Sequence, residues 1–319
     1  MKKLVIVAFA ALLGATAARA EFPDKPVRLV VPFPPGGALD ILARGMAPSL
    51  EARLKQPIVV ENKPGANGTL AFDLVAKARP DGTTLLLGSA SGLAVNPVLN
   101  PNAPYNPAKD FTGVASLISI ASILIVNPSF EAGSVQQLID LAKASPGKLS
   151  YGTPGNGNPN HIAGELFRSK AGVDLVHVPY KGAAFVITDV IAGHLPTAFV
   201  TLPAGLPHVR AGKVKALAVT TEKRSAAAPQ VPTMAEAGTP GVIYSEWSGI
   251  LAPAGTPQAV VARLNKELNA VVSAPELHAR LLDQGFEPFL MSSEAFAALM
   301  RADIERMAAL VRQLAIRAE

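Results

Sequence analysis

The chain has 319 residues, of which 17% are charged, carries a formal net charge of +5 at pH 7, and contains no cysteine. The lack of cysteine excludes disulfides, thiol nucleophiles and thiolate metal sites. Lys and Arg do not cluster with interleaved aromatic residues, so the basic balance does not indicate nucleic-acid binding. A chain of this length can bury a core without disulfides, and we expect two domains.

The N-terminus has the pattern of a secretory signal peptide. A short basic start precedes the apolar run 4–13, and residues 18–20 form a small-residue cleavage site,. We therefore predict cleavage after Ala20 and a periplasmic mature protein, whose net charge falls to about +2 because the leader holds three basic residues,. An N-terminal membrane anchor is the alternative, but the apolar run is short for a spanning helix.

The first part of the mature chain alternates strand and helix patterns. Strands are predicted at Val27–Val31, 58–60 and 84–87, and each leads through a glycine-containing loop into a helical pattern,. The longer apolar run 118–126 is long enough to cross between two sheets. This repetition predicts an α/β protein with largely parallel sheets, in which ligands bind beyond the carboxyl ends of the strands.

The second part repeats this order and ends in helices. Strands of a second sheet are predicted at 149–152, 175–178, 197–200 and 214–219,. Beyond Ile250 only helical patterns are recognised, with starts at Pro257, Pro275 and Ser292,. We therefore expect the C-terminal helices to pack back on the first domain.

Two α/β lobes joined by two crossovers are the predicted domain organisation. Lobe 1 comprises residues 21–123 and 247–319, and lobe 2 comprises residues 124–246. The crossovers are expected near residues 121–126 and 243–249.

Three loops carry most of the functional signal, at residues 31–40, 151–161 and 178–183. A strand that ends in such a loop and then starts a helix presents unpaired backbone N–H groups at the helix N-terminus, where an anion can bind. Asn158 and Pro159 mark one helix start clearly, because Asn is a favoured N-cap and Pro a favoured first residue. Several such loops in one chain favour a cleft that holds a small anion through main-chain groups.

Four individual side chains have both a structural and a functional interpretation. Asp40 is expected to fold back on the amides of the Gly36–Gly37 turn, because a carboxylate beside an anion site would repel the ligand. His161 is expected to be neutral and packed or hydrogen-bonded, and Trp247 to pack in the hinge or the core. Lys181 is expected on the solvated surface. Direct ligand contact is the alternative for His161, Trp247 and Lys181.

Enzyme motifs are incomplete, and we predict no enzymatic activity, no cofactor and no metal site. Residues 88–92 resemble the turn that carries the nucleophile of serine hydrolases, but the central residue is Ala90,. The histidines lack metal-ligand spacing. An exported hydrolase that uses Ser89 or Ser91 with His161 is the alternative from another functional class, and it would need a Ser–His contact and a third orienting residue.

Six motifs then occur in order along the chain. They are PFPPGGALD (32–40), VENKPGA (60–66), PDGT (80–83), VPYKG (178–182), VPTMAEAG (231–238) and WSGILAPAGTP (247–257). Together they resemble the Bug-type substrate-binding proteins of tripartite tricarboxylate transporters, and the resemblance covers essentially the whole mature chain. It implies a type II periplasmic-binding-protein fold whose two lobes close around a small carboxylate, such as a di- or tricarboxylate or an aromatic acid.

The resemblance also implies partners. A monomeric binding protein would deliver its ligand to a membrane permease of one large and one small subunit. Presentation of the ligand to a sensor kinase, in addition to a permease or instead of it, is the alternative within the same fold.

Carried over onto this chain, the resemblance implies a site built largely from main-chain groups of both lobes. The candidate ligand contacts, to which Ser89 and Ser91 beyond the third strand are added, are Phe33, Pro34, Gly36, Gly37, Ser89, Ser91, Thr153, Pro154, Gly155, Asn156, Gly157, Asn158, Gly182, Ala183 and Thr201. Two departures bear on which acid fits. Asn158 stands where many members have Ser or Thr, and residues 183–185 replace a stretch often richer in glycine.

Overall fold

The computed structural model of the protein describes residues 22–316, so the predicted signal peptide and its cleavage site lie outside the described residues. The strands are β1 (Val27–Val31), β2 (Ile58–Asn62), β3 (Thr84–Ser89), β4 (Phe111–Val126), β5 (Ser150–Thr153), β6 (Val176–Pro179), β7 (Thr197–Thr201), β8 (Lys215–Val219), β9 (Ser245–Pro253) and β10 (Glu287–Pro288). The α-helices are α1 (Ala38–Leu54), α2 (Thr69–Ala76), α3 (Asn96–Leu99), α4 (Val135–Ala144), α5 (Pro159–Ala171), α6 (Ala183–Ala192), α7 (Leu202–Arg210), α8 (Gln258–Val272), α9 (Pro275–Asp283) and α10 (Ser293–Gln313). A π-helical turn at Ser91–Val95 leads into α3.

The strands form one continuous sheet in the order β2-β1-β3-β9-β4-β7-β5-β6, and β8 and β10 also pair with β4. The outer strands on each side run parallel, as predicted: β1 with β2 and β3, and β5 with β6 and β7. The two long crossing strands, β4 and β9, run antiparallel to their neighbours. The parallel order predicted from the alternation of strands and helices therefore holds for the outer strands of each lobe.

The first crossover is β4, which spans 16 residues and is buried at nearly every position. Burial on both faces explains why its second half forms a continuous apolar run in the sequence. Its first half pairs with β9 as far as Ala121, which lies opposite Ser245, and its second half pairs with β7 from Ser122, which lies opposite Thr201. The strand thus passes from one half of the sheet to the other between Ala121 and Ser122.

The second crossover, at residues 244–245, changes its hydrogen-bonding partners next to the point where β4 does. The Tyr244 N–H donates to the Thr220 carbonyl oxygen (2.8 Å), whereas Ser245 already pairs with Ala121 of β4. Both chain crossings therefore lie side by side, which is the arrangement expected of a two-strand hinge. The lobe boundaries at 123/124 and 246/247 stay a prediction.

Helices cover both faces of the sheet in each lobe. In lobe 1, α1, α8 and α9 bury Met46, Leu264 and Leu281 in one apolar cluster, while α2 buries Phe72 on the opposite face. In lobe 2, α4 and α5 supply one cluster, and α6 and α7 supply another. Among residues 22–316, the helices are all too short or too polar to cross a membrane.

The C-terminal segment corrects the sequence prediction twice. A strand does follow Ile250: β10 pairs with β4, and its two residues are too few to produce a recognisable pattern. The last helix also does not pack on lobe 1 alone. Phe296 and Met300 of α10 lie in a lobe 1 cluster, but Met307 and Val311 lie in the cluster that contains lobe 2 side chains. With 21 residues the helix is about 30 Å long, which is enough to reach both lobes,.

Candidate ligand-binding cleft

The carboxyl ends of the parallel strands in both lobes point to the crossover. In lobe 1, β3 ends at Ser89, which pairs with Ser248, and Ser248 pairs in turn with Ile118 shortly before the switch in β4. In lobe 2, β7 ends at Thr201, opposite Ser122 just after the switch. The loops that follow β1 and β3 therefore lie on one side of the crossover, and those that follow β5, β6 and β7 lie on the other.

Asp40 holds the first loop together. Its Oδ2 accepts a hydrogen bond from the Gly36 N–H (2.9 Å), and its Oδ1 accepts from Arg44 Nε (2.9 Å) and Asn62 Nδ2 (2.9 Å). Asn62 Nδ2 also donates to the Phe33 carbonyl oxygen (3.0 Å). These donors, Arg44 first and the Gly36 amide next, lower the pKa of Asp40 to about 2. The side chain folds back on the turn, as the sequence indicated.

The first helix starts at this loop without a side-chain cap. Gly37 is the N-cap of α1, and Gly36 lies in the left-handed region at φ +81°, where glycine is favoured,. Because the Gly36 N–H already donates to Asp40, an anion at this loop would meet the N–H groups of the first turn of α1. Phe33, Pro34 and Gly36 are exposed beside it. Their contact with a ligand stays a prediction.

The second loop, after β5, is fixed from both ends. Asn158 is the N-cap of α5, and its Oδ1 accepts from the His161 N–H (2.9 Å), as its position before Pro159 predicted. The Gly157 N–H donates to Nδ1 of His161 (3.0 Å), and the Thr153 hydroxyl donates to the Gly155 carbonyl oxygen (2.8 Å). His161 is therefore buried and hydrogen-bonded. Pro154 and Asn156 lie half-buried within the same loop.

The loops after β6 and β7, which are the third and fourth loops, complete the lobe 2 side of the cleft. The Tyr180 N–H donates to the Thr153 carbonyl oxygen (2.9 Å), which ties the third loop to the second. Gly182, at φ +131°, is the N-cap of α6, and Thr201 is the N-cap of α7; neither helix start has a side-chain cap. Ala183 is half-buried, whereas Phe185 is 62% exposed, so this side carries an apolar surface.

Ser89 and Ser91 lie beyond β3 with a carboxylate beside them. Their hydroxyl oxygens are 3.1 Å apart, and the Ser91 N–H donates to Oε1 of Glu246 (2.9 Å). Burial raises the pKa of Glu246. The amide and the two hydroxyls at this turn are thus paired with Glu246 and with each other, and contact of Ser89 and Ser91 with a ligand stays a prediction. Nothing in the sequence indicated Glu246 as a site residue, because its contact with Ser91 depends on the pairing of β9 with β3.

The contact required by a serine hydrolase is not found among the described residues. The hydrogen bonds of Ser89 and Ser91 there join them to each other, to Gly92 and to Glu246, and none reaches a histidine. Nδ1 of His161 instead accepts a hydrogen bond from the Gly157 N–H. Within residues 22–316, no three His, Asp or Glu side chains come together in a group that could hold a metal ion.

Trp247 packs in the core. It is buried, its ring meets Phe296 edge-to-face with centroids 5.0 Å apart, and its Nε1 donates to Asp303 of α10 (2.6 Å). The structural interpretation of this residue agrees with the sequence expectation. Lys181 lies on the surface, also as expected.

Side chains tie the second loop to the crossover and to lobe 1. The Ser122 hydroxyl of β4 donates to Oδ1 of Asn160 in the first turn of α5 (2.9 Å). A Cβ added to Gly157 would lie 2.3 Å from Cδ1 of Leu99, so the second loop packs directly on α3. The two groups of loops are therefore held on either side of one crossover, close enough for side chains to touch.

Comparisons with known proteins identify a matching family and similar relatives. The model of the tripartite tricarboxylate transporter family receptor matches residues 42–316. BugT of Bordetella pertussis is 35% identical over 302 residues, which cover 94% of this chain and 93% of BugT.

Two solved structures of proteins from Rhodopseudomonas palustris are also similar. Rpa4515, solved with adipate, has a TM-score of 0.84 and 35% identity and covers 93% of this chain and 99% of its own. MatC, with bound malate, has a TM-score of 0.79 and 32% identity over 91% of this chain and 100% of its own. The chain therefore belongs to the tripartite tricarboxylate transporter receptor family, and the predicted resemblance to Bug-type binding proteins is confirmed.

Proposed function

We propose that this protein is a periplasmic solute-binding protein that captures a small carboxylate between its lobes and delivers it to a two-subunit membrane permease. The observation that carries the proposal is the convergence of the strand ends of both lobes on the crossover between Ala121 and Ser122. Family membership supports the same role, because the fold and family are those of solute-binding proteins, which are not enzymes.

Backbone groups at helix starts supply the attraction for a carboxylate. The N-terminus of a helix carries roughly half a positive charge, and the starts of α1, α6 and α7 have no side-chain cap,. α1 belongs to lobe 1, whereas α6 and α7 belong to lobe 2. A dicarboxylate that spans the cleft would therefore meet such helix starts at both ends, and no buried Lys or Arg would be needed.

Hinge closure follows from the same arrangement. A ligand that touches both lobes makes all of its contacts only when the lobes are together, so binding shifts the population towards the closed form. The two crossing strands, which exchange partners at one level, are the elements about which the lobes would rotate.

The proposed ligand class is a di- or tricarboxylate, an aromatic acid or a related organic acid. Adipate and malate are the acids that the structures of Rpa4515 and MatC hold. Phe185 and Ala183 add apolar surface beside Gly182, which suits an acid with a hydrocarbon segment between its polar ends. Presentation of the ligand to a sensor remains the alternative role.

A thermal-shift screen tests the proposal. The mature protein is unfolded and refolded to remove any co-purified ligand, then scanned with adipate, malate, citrate and benzoate, and with adipamide as a matched uncharged control. A ligand at a hundred times its Kd adds about 2.7 kcal/mol, which raises the Tm by several degrees. We expect at least one acid to raise the Tm and adipamide to have no effect. Equal stabilisation by adipate and adipamide, or no shift with any acid, would contradict the proposal.

A further inference from the structure

Two histidines stack behind the second loop of the cleft. His161 comes from the first turn of α5 and His177 from β6, and their ring centroids lie 3.8 Å apart with the planes 9° from parallel. Each ring is hydrogen-bonded to the loop. His161 contacts Gly157 at one end of it, and His177 contacts Thr153 at the other.

The hydrogen bonds determine which ring nitrogen carries the proton. Nδ1 of His161 accepts from the Gly157 N–H (3.0 Å), so this nitrogen is unprotonated and the ring proton lies on Nε2,. Thr153 has a single hydroxyl proton, which it donates to the Gly155 carbonyl oxygen (2.8 Å). The 2.7 Å contact between Thr153 and Nε2 of His177 must therefore be donated by the histidine. His161 is therefore a neutral Nε2–H tautomer, and His177 carries a proton on Nε2.

The charged groups that face the pair come from α5 and are paired among themselves. Oε1 of Glu165 lies 3.8 Å from Nε2 of His161, but it also accepts from Arg168 (2.8 Å) and from the Tyr151 hydroxyl. Arg168 lies in addition 3.5 Å from Asp174. Burial, which is the largest effect, and Arg168 both lower the pKa of His161, whereas Glu165 raises it.

Burial opposes protonation of both rings. It lowers the pKa of His161, and it lowers that of His177 to about 4, with the neighbouring His161 as a second cause. A proton added to Nδ1 of His161 would also point at the Gly157 N–H, so two donors would face each other. Turning the Gly157 amide away from the ring would relieve this contact.

We propose that the neutral His161–His177 pair positions the loop 153–158 for ligand binding, so that protonating the pair or removing the acceptor at His161 lowers ligand affinity. The inference rests on the proposed function, because it assumes that this loop contacts the ligand. His161 and His177 are positioning residues: they act on the ligand through Gly157, Gly155 and Thr153.

Two variants of His161 separate the effect of the hydrogen-bond acceptor at Nδ1 from the effect of the size of the ring. His161→Asn places an amide oxygen where Nδ1 lies, whereas His161→Leu offers only methyl groups there and leaves the Gly157 N–H unpaired. We expect His161→Leu to weaken adipate or malate binding by about 5- to 100-fold, and His161→Asn to bind within about threefold of the wild type. Equal affinity of the two variants would overturn the inference and leave the proposed function standing.

The pH dependence of ligand affinity separates this role from a purely structural one, which would not change with protonation of the histidines. Titration of the acid affects every variant alike, so the ratio of wild-type to His161→Asn affinity reports only on the histidine. Because the pKa values of both rings are lowered, we expect this ratio to fall as the pH is lowered from about 7 to about 3.5,. A ratio that stays constant over this range would contradict the proposal.

Nitrogen-15 spectra of labelled histidine test the pair without any ligand. At pH 7 both rings should show a protonated Nε2 and an unprotonated Nδ1, and the Gly157 amide should be protected from exchange in the wild type and in His161→Asn but not in His161→Leu. A proton on Nδ1 of His161, or equal protection in both variants, would overturn the inference whether or not an acid binds. If the spectra are as expected but no acid binds, the result would instead count against the proposed function.

Discussion

Replacement of Asp40 by asparagine tests how the first loop of the cleft is held. The carboxylate accepts from three donors: the Gly36 N–H on Oδ2, and Arg44 and Asn62 on Oδ1. Asparagine keeps the size of the side chain but has a single oxygen. In either orientation its NH₂ group therefore faces at least one of these donors, and the bonds that remain lose the negative charge.

The magnitude follows from these contacts. A hydrogen bond to a charged group contributes about 1.5–3 kcal/mol, and the exposed Gly36 N–H can pair with water when the carboxylate is lost. Asp40 is buried, but the Arg44 side chain is 52% exposed, so water replaces part of that ion pair,. We expect Asp40→Asn to lower the free energy of unfolding by about 1.5–3 kcal/mol and the Tm by roughly 2–5 °C.

The assay is urea and thermal unfolding of the mature protein, with Asp140→Asn as the matched control. Asp140 lies exposed on α4 and accepts one hydrogen bond from the Gln136 side chain, so its replacement should change stability by no more than about 0.5 kcal/mol,. If Asp40→Asn is as stable as the wild type at pH 7, the loop is held by contacts other than those of Asp40.

The pH dependence gives this prediction a sign. The folded pKa of Asp40 is about 2, below its ordinary value of 3.8, so the stability it contributes is complete above about pH 5 and is lost as the pH falls from about 4 to 2,. The difference in stability between the wild type and Asp40→Asn should therefore stay constant from pH 7 to pH 5 and shrink below pH 4. A difference that grows at acid pH would refute the assignment.

Three further substitutions test other parts of the account. Asn158→Asp should keep the helix cap and the Tm, yet weaken acid binding by about tenfold or more through charge repulsion; unchanged affinity in calorimetry would move the ligand away from this loop. Trp247→Phe removes the donor to Asp303 and should lower the free energy of unfolding by about 1–3 kcal/mol in urea, whereas a change below 0.5 kcal/mol would show that this bond is dispensable,. Gly157→Ala should destabilise by about 1–3 kcal/mol through its left-handed backbone (φ +67°) and its contact with Leu99; Leu99→Ala in the same chain should recover part of this loss, and strictly additive effects would exclude the contact,.

Local signals made much of the fold predictable. The caps Ser134, Asn158 and Ser292 each accept a hydrogen bond from the N–H three residues later, so the helix starts could be inferred from neighbouring residues alone,. The second half of β4 was recognisable because it is buried on both faces. Its first half was not, since Gly113 and Ser116 interrupt the apolar run while β9 and α10 cover it.

Contacts between distant segments could not be predicted in the same way. The stack of His161 on His177 forms because β6 lies beside β5 in the sheet, whereas in the sequence the histidines are scattered singly. Glu246 reaches Ser91 because β9 pairs with β3. The path of α10 across both lobes likewise depends on how the lobes are placed. The apolar pattern of the helix itself carries no information on that placement. The ligand contacts carried over from the family resemblance stay a prediction.

The distance between the lobes tests the central claim most directly. Lys63 follows β2 in lobe 1 and Lys181 follows β6 in lobe 2; both are exposed, and the chain has no cysteine of its own. Spin labels on Lys63→Cys and Lys181→Cys therefore report one distance across the cleft. With an acid that raises the Tm, we expect this distance to become shorter and its distribution narrower, while the corresponding amide leaves both unchanged. A distance that does not change when the acid binds, or that changes equally with the amide, would contradict capture of a carboxylate by closure of the lobes.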